Sequence, residues 1–260
     1  MDRSFSLIAG VFELMTDPVW WQDQRFWRDL GPFLFPDSLI EAGEGDAREI
    51  IDELDIEPPA RILDVGCGLG RILIPLQELG FEAVGLESCA YYRREARIRA
   101  GNDTLEIRSQ SIFDFEIPPE ERFDAALSVF SVLGYSADPV QDILFSQRLA
   151  ATLKPGGQVF LQARRPANTT GRFQHRSASG LCLEVRAYDA VSKTMHTVWT
   201  VSSRGRQRVY RSQVRVYDRS DLVGLLEFCG FEQVRAYEEP QSERISVVGV
   251  RSVDNEADAS

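Results

Sequence analysis

The stretch Asp64-Val65-Gly66-Cys67-Gly68-Leu69-Gly70 sets an acid before glycines at every second position. An apolar run, Ala60, Ile62, Leu63 and Val65, precedes it after Pro58 and Pro59, as a buried parallel strand requires. Residues Arg71–Leu79 then read as a helix. A strand that stops in alternating glycines and restarts as a helix makes a turn free of side chains. Its backbone N–H groups and the helix N-terminus can face a ligand at van der Waals distance. A pyrophosphate laid against the helix end wants the spacing G-x-G-x-x-G. Here the third glycine comes one residue early, and the Asp64 carboxylate would repel a pyrophosphate. A ligand with a cationic end, such as the sulfonium and α-amino group of S-adenosylmethionine, would be drawn to that carboxylate. The bland alternative is a glycine-rich turn with no ligand.

A second acid supports the ligand-binding reading. Glu82–Glu87 reads as a strand (Ala83, Val84 and Leu86 apolar) and ends in a carboxylate seventeen residues beyond Gly70. That is where a parallel nucleotide-binding sheet holds ribose hydroxyls, because a carboxylate can accept both hydrogen bonds. Leu153-Lys154-Pro155-Gly156-Gly157 closes a helix and opens a further apolar strand, Gln158–Ala163. With Asp64–Arg71, Glu87, Phe130–Tyr135 and Leu153–Gly157 in that order, the chain resembles the class I S-adenosylmethionine-dependent methyltransferases. It looks most like their small-molecule branch with an antiparallel insertion late in the fold, over about residues 45–251.

The resemblance implies an α/β fold: a Rossmann-like, seven-stranded, mainly parallel sheet flanked by helices. An N-terminal helical cap (residues 1–40) and an inserted three-stranded antiparallel sheet complete it. The core is expected over 41–165, the insertion over the cleft at 166–217, the end of the core at 218–251, and a disordered tail at 252–260. S-adenosylmethionine is the implied cofactor, and S-adenosylhomocysteine its product. The implied cofactor contacts are Asp64, Gly66, Cys67, Gly68, Gly70, Glu87, Ser88, Tyr92, Ser111, Ile112, Val129 and Phe130. Tyr92 falls at an adenine-contact position, where a ring can stack on the base. Ser111 stands where the family pattern has an acid for the adenine amino group, and Asp114 follows three residues on.

Composition narrows the partners. A formal charge of −11 and a pI near 4.8 argue against nucleic acid, where phosphate neutralisation supplies most non-specific affinity. Cys67, Cys89, Cys182 and Cys229 are scattered with no C-x-x-C, which fits reduced thiols and a cytoplasmic protein. Two histidines and that cysteine spacing make a zinc or other metal site improbable. No run reaches the length of a membrane span, and Met1–Gly10 does not read as a signal peptide. Oligomeric state is left open.

The remaining elements follow in order. Phe5, Ile8, Phe12 and Met15 keep helical spacing, Pro18 opens a second helix to about Leu30, and Gly31-Pro32 is expected to break it. Ile40–Leu54 and Ser88–Ala100 read as helices, Leu105–Gln110 and Phe123–Val129 as strands, and Gln141–Thr152 as a helix. Gly180–Tyr188, Thr194–Ser202 and Arg206–Tyr217 alternate as the three inserted strands. Arg219–Cys229 is the last helix, before a strand pair through Ile245–Val250.

Methyl transfer from a sulfonium needs alignment and a free lone pair more than a catalytic constellation. His175, in the connection entering the insertion, and Tyr135, after the fourth strand, are the candidate catalytic residues. Tyr135 also suits orienting a small-molecule acceptor, at O or N. Between residues 164 and 217 stand eleven basic residues and only two acids, Glu184 and Asp189. Arg164 and Arg165, at the end of the fifth strand, are therefore expected to grip an acceptor carboxylate or phosphate. Solvent-facing arginines are the bland alternative. Transfer to a peptide or protein, a non-catalytic S-adenosylmethionine-binding protein and, remotely, a nicotinamide enzyme are the competing functions.

Overall fold

The structure is a computed structural model that describes residues 19–101, 104–166, 170–238 and 242–253. The helical spacing of Phe5 to Met15 and the tail beyond Val253 lie outside the described residues. The Asp23 side chain accepts the Arg25 N–H and starts α1 (Gln24–Leu34). α2 (Asp37–Glu41) and α3 (Gly43–Leu54) divide the expected single helix at Ala42.

The core then alternates strand and helix. β1 (Arg61–Val65), α4 (Leu73–Glu78), β2 (Glu82–Leu86), α5 (Ala90–Ala100) and β3 (Ile107–Arg108) form its first half. β4 (Phe123–Ser128), α6 (Pro139–Thr152) and β5 (Leu153–Arg164) begin the second. Next come four strands of a separate sheet: β6 (Gly171–Ser177), β7 (Gly180–Asp189), β8 (Thr194–Ser203) and β9 (Arg206–Arg215). α7 (Arg219–Phe228), β10 (Phe231–Glu238) and β11 (Arg244–Arg251) return to the core.

The main sheet runs β10-β11-β5-β4-β1-β2-β3. β1 lies parallel to both β2 and β4, and β11 runs antiparallel to β5 and β10. Successive β1 residues Ile62 and Leu63 point to opposite faces, yet both are fully buried, because helices cover the sheet on both sides. Leu63, Phe123, Leu149 and Leu222 pack one face and Ile62, Leu73, Leu76 and Phe160 the other. Chain order reverses at β1, so the carboxyl ends of β1, β2 and β4 open onto a crevice.

Three further details differ from the sequence expectation. The inserted sheet, ordered β6-β7-β8-β9, has four strands, not three. β6 was read as a connection because its inward positions include Gly171, His175 and Ser177, so Phe173 gives the only apolar signal. Gly31-Pro32 does not break α1, which ends only before Pro36. Burial of Phe26, Trp27 and Leu30 holds the helix together, and the Phe35 N–H still reaches the Gly31 carbonyl at 2.8 Å. β3 keeps only two of the six expected residues. The inserted sheet packs on α1 and the turn before it, with Trp199, Cys182 and Val201 in one buried cluster with Trp20, Phe26 and Trp27. Trp20 Nε1 donates to the Gln213 carbonyl at 3.0 Å, and Tyr210 Oη donates to Asp29 at 2.6 Å. Among the described residues no helix is long and apolar enough to cross a membrane.

Candidate functional site

The crevice is a continuous cavity of about 1010 Å³. Its floor is the glycine turn. Gly66 has φ +75°, and a Cβ there would lie 2.6 Å from Val132 Cγ2, so both conformation and space require glycine. The N–H groups of Gly66 and Cys67 reach the Leu86 carbonyl at 2.8 and 3.1 Å, fastening the turn to β2. Glu87 completes the fastening. One oxygen accepts the Gly68 N–H at 3.0 Å and the other the Cys89 N–H at 2.7 Å, leaving a second lone pair on each.

Both acids are held at an energetic cost. Asp64 is 3% exposed and, among the described residues, makes no side-chain hydrogen bond. Burial pushes its carboxyl up to about 7, against the attraction of Arg71 and with Glu87 adding to the rise. Burial also raises Glu87, opposed by the Cys89 and Gly68 N–H groups and by Arg93. A carboxylate that is buried, unsatisfied and costly to ionise gains most from a cation brought beside it.

Of the expected cofactor residues, Asp64, Gly66, Cys67, Gly68, Glu87, Ser88, Tyr92, Ser111, Ile112, Val129 and Phe130 all line the cavity. Gly70 does not. A Cβ on Gly70 would lie 2.9 Å from Ile74, so this glycine serves the packing of the turn on its helix. Ser111 Oγ donates to Asp114 Oδ2 at 2.6 Å, and both line the wall. Asp114 thus supplies a carboxylate beside the position where the sequence lacks one. Tyr92 is buried, with its hydroxyl donating to the Trp27 carbonyl at 3.2 Å and its ring 5.7 Å from that of Trp27.

The opposite wall is aromatic. Tyr135 stands with its ring 4.8 Å from Trp20 and 6.0 Å from Trp27, and Phe35 lies 5.1 Å from Phe130. The loop that carries Tyr135 is strained and clamped. Phe130 and Ser131 adopt φ of +74° and +67°, uncommon for residues with side chains. Gly134 is fixed from both sides: its N–H donates to Asp142 Oδ1 at 3.0 Å, and its carbonyl accepts the Arg215 N–H at 2.8 Å. Tyr217 Oη donates to the other Asp142 oxygen. Asp142, from α6, thereby ties the loop to the end of the inserted sheet.

Three expected acceptor-side residues lie elsewhere. His175 is on β6, with Nε2 2.7 Å from Glu184 Oε2, and is not among the cavity-lining residues. Glu184, 1% exposed, also takes the Arg186 guanidinium. Arg164 pairs with Glu243 at 2.8 Å and Arg165 with Glu238 at 2.7 Å, and neither lines the cavity. The arginine excess was read without these distant acids, which strand pairing alone brings alongside. Sequence reasoning noted Asp114 without giving it a site role, had Trp21, Trp27 and Phe35 only as part of the expected N-terminal cap, and missed Asp142 as a lining residue. Asp142 gives no signal of its own, since it looks like any first-turn helix acid.

A family profile described as a methyltransferase domain matches residues 20–236, and the chain belongs to that family. Individual relatives cover less of it. The ubiquinone biosynthesis O-methyltransferase of Rhodopseudomonas palustris (strain TIE-1) is 34% identical over 98 residues, which is 37% of this chain and 37% of that enzyme. The chain thus matches little more than a third of such curated relatives. Among solved structures, the CcbJ methyltransferase from Streptomyces caelestis superposes with a TM-score of 0.67 at 19% identity, covering 81% of this chain and 90% of that one. An S-adenosylmethionine-bound amino pentose methyltransferase from Micromonospora echinaspora, involved in calicheamicin biosynthesis, gives 0.65 at 21% identity, covering 81% and 92%. These two likenesses establish the shared fold.

Proposed function

We propose that the protein transfers a methyl group from S-adenosylmethionine to O or N of a small-molecule acceptor. The observation that carries this reading is one cavity joining two unlike halves. One half is the glycine turn with Asp64 and Glu87; the other is the aromatic wall around Tyr135. The residues fit the cofactor: Gly66 keeps side chains out of the turn, Glu87 retains free lone pairs, and Asp64 makes no side-chain hydrogen bond among the described residues. When bound, S-adenosylmethionine supplies a methyl group on a sulfonium, with a neutral thioether as leaving group.

The chain's own residues do the rest. Asp64 receives the cationic end and Glu87 the ribose hydroxyls, while Ser111 and Asp114 face the base beside Ile112. The clamped Phe130–Tyr135 loop holds Tyr135 toward the acceptor. Burial raises the Tyr135 phenol above its ordinary value, so it orients by hydrogen bonding and does not abstract a proton. The four cysteines are buried and free, which supports a reducing compartment such as the cytoplasm.

The test is a panel of small-molecule and peptide acceptors with methyl-labelled donor. S-adenosylhomocysteine accumulating with a small-molecule acceptor supports the reading. Turnover only with peptides moves it to a peptide methyltransferase, and tight cofactor binding without any turnover favours a binding protein.

A further inference from the structure

The acceptor half of the cavity is poor in cations. Among the described lining residues the only base is Arg71, and it is ion-paired with Asp46. Arg164 and Arg165 are engaged by Glu243 and Glu238, and Arg186 by Glu184 and Glu243. Arg244 lays its guanidinium 3.7 Å from the Phe130 ring centroid and is not among the lining residues. Lining this space are Trp21, Trp27, Phe35 and Tyr135, together with the acids Asp138 and Asp142. Aromatic faces carry negative quadrupole density and attract cations. The lining therefore repels an anionic group and favours a positive one.

The proton balance points the same way. A hydroxyl acceptor must lose its proton as it attacks. His175 is held by Glu184 on the other sheet, Asp142 already accepts the Gly134 N–H and the Tyr217 hydroxyl, and Asp138 caps α6 by accepting the Val140 N–H. An amine that arrives as its ammonium gives that proton to water before it attacks, so no proton has to leave during the attack itself. The amine lone pair forms the new C–N bond as the C–S bond breaks, and the bonding pair remains on sulfur. Positive charge moves from sulfur to nitrogen, and the resulting ammonium later gives its proton to water.

From this cavity, and resting on the methyltransferase reading above, we infer that the acceptor is an amine, seated against Trp21, Trp27 and Tyr135. This replaces the carboxylate or phosphate acceptor expected from the arginine-rich stretch. The aromatic wall and the two carboxylates stabilise the charge that develops on nitrogen.

The test titrates 2-phenylethylamine, 2-phenylethanol and 3-phenylpropionate into the full chain saturated with S-adenosylhomocysteine, near neutral pH. Tryptophan fluorescence and calorimetry report binding. The amine should bind at least about tenfold tighter than the alcohol or the acid. Trp21→Ala should remove that preference while S-adenosylhomocysteine affinity stays within about twofold, showing an intact fold. Equal or tighter binding of the acid, which an anion reaching Arg244 would produce, overturns the inference. Tighter alcohol binding, no binding by any probe, or an unchanged preference in Trp21→Ala does so too. Failure of S-adenosylhomocysteine itself to bind would instead sink the methyltransferase reading, and this inference with it.

Discussion

Asp64→Asn should make the cofactor-free protein more stable and its cofactor binding weaker. Asparagine keeps the shape but not the charge. In the folded chain the Asp64 carboxyl titrates at about 7, against an ordinary 3.8, and burial is the main cause. At 1.36 kcal/mol per pH unit, that gap of about three units amounts to roughly 4 kcal/mol of destabilisation once the group is ionised. The sign follows from proton counting. Between about pH 4 and 7 the folded state binds more protons here than the unfolded state, so this group's contribution to stability falls as pH rises through that window. It is flat above about pH 8. The gain in Asp64→Asn should therefore grow from pH 5 to 7 and then level off. Allowing for burial of the amide, about 2–4 kcal/mol remains, or roughly 5–10 °C in Tm. S-adenosylmethionine affinity should fall by about 1.5–3 kcal/mol, the scale of a hydrogen bond to a charged group. The affinity difference between the two proteins should shrink as pH drops below 7. Melting curves and calorimetry from pH 5 to 9 on both proteins make the test, and the cofactor's own titration cancels between them. Parallel melting profiles, or equal cofactor affinity at pH 8, would refute the assignment of Asp64 as a buried, cation-seeking carboxylate.

Three further substitutions separate the parts of the account. Glu87→Ala releases the Gly68 and Cys89 N–H groups and should weaken S-adenosylmethionine by about 1–3 kcal/mol in calorimetry; an unchanged value removes the ribose role. Tyr217→Phe leaves buried Asp142 with one partner fewer and should cost about 1–3 kcal/mol in denaturant unfolding. No loss in that variant would show that the loop clamp does not depend on the inserted sheet. Arg165→Ala breaks a partly exposed pair with Glu238 and should change stability by less than about 1 kcal/mol, with cofactor affinity intact. A selective rise in acceptor KM in that variant would restore the anionic-acceptor expectation.

The cofactor half was legible because its signals are local. Asp64, Gly66, Gly68 and Glu87 are fixed by one strand-turn-helix and the next strand, and all four line the cavity, whereas Gly70 serves the packing of the turn. Strand β6 was hidden because His175 and Gly171 occupy inward positions where an apolar residue would have announced it. The acceptor side depends on contacts far apart in sequence. Arg164 meets Glu243 and Arg165 meets Glu238 because β11 folds back beside β5 and β10 beyond it. Charge counted along the segment 164–217 omitted those acids. Asp142 acquires its place only when Gly134 and Tyr217 converge on it.

The central claim is that this turn and these two acids hold S-adenosylmethionine. Calorimetric titration of the wild-type chain with S-adenosylmethionine, S-adenosylhomocysteine and NADH tests it most directly. The account predicts saturable binding of the first two at one site per chain, and none of NADH. NADH binding, or silence toward both adenosyl compounds in the folded protein, would contradict it.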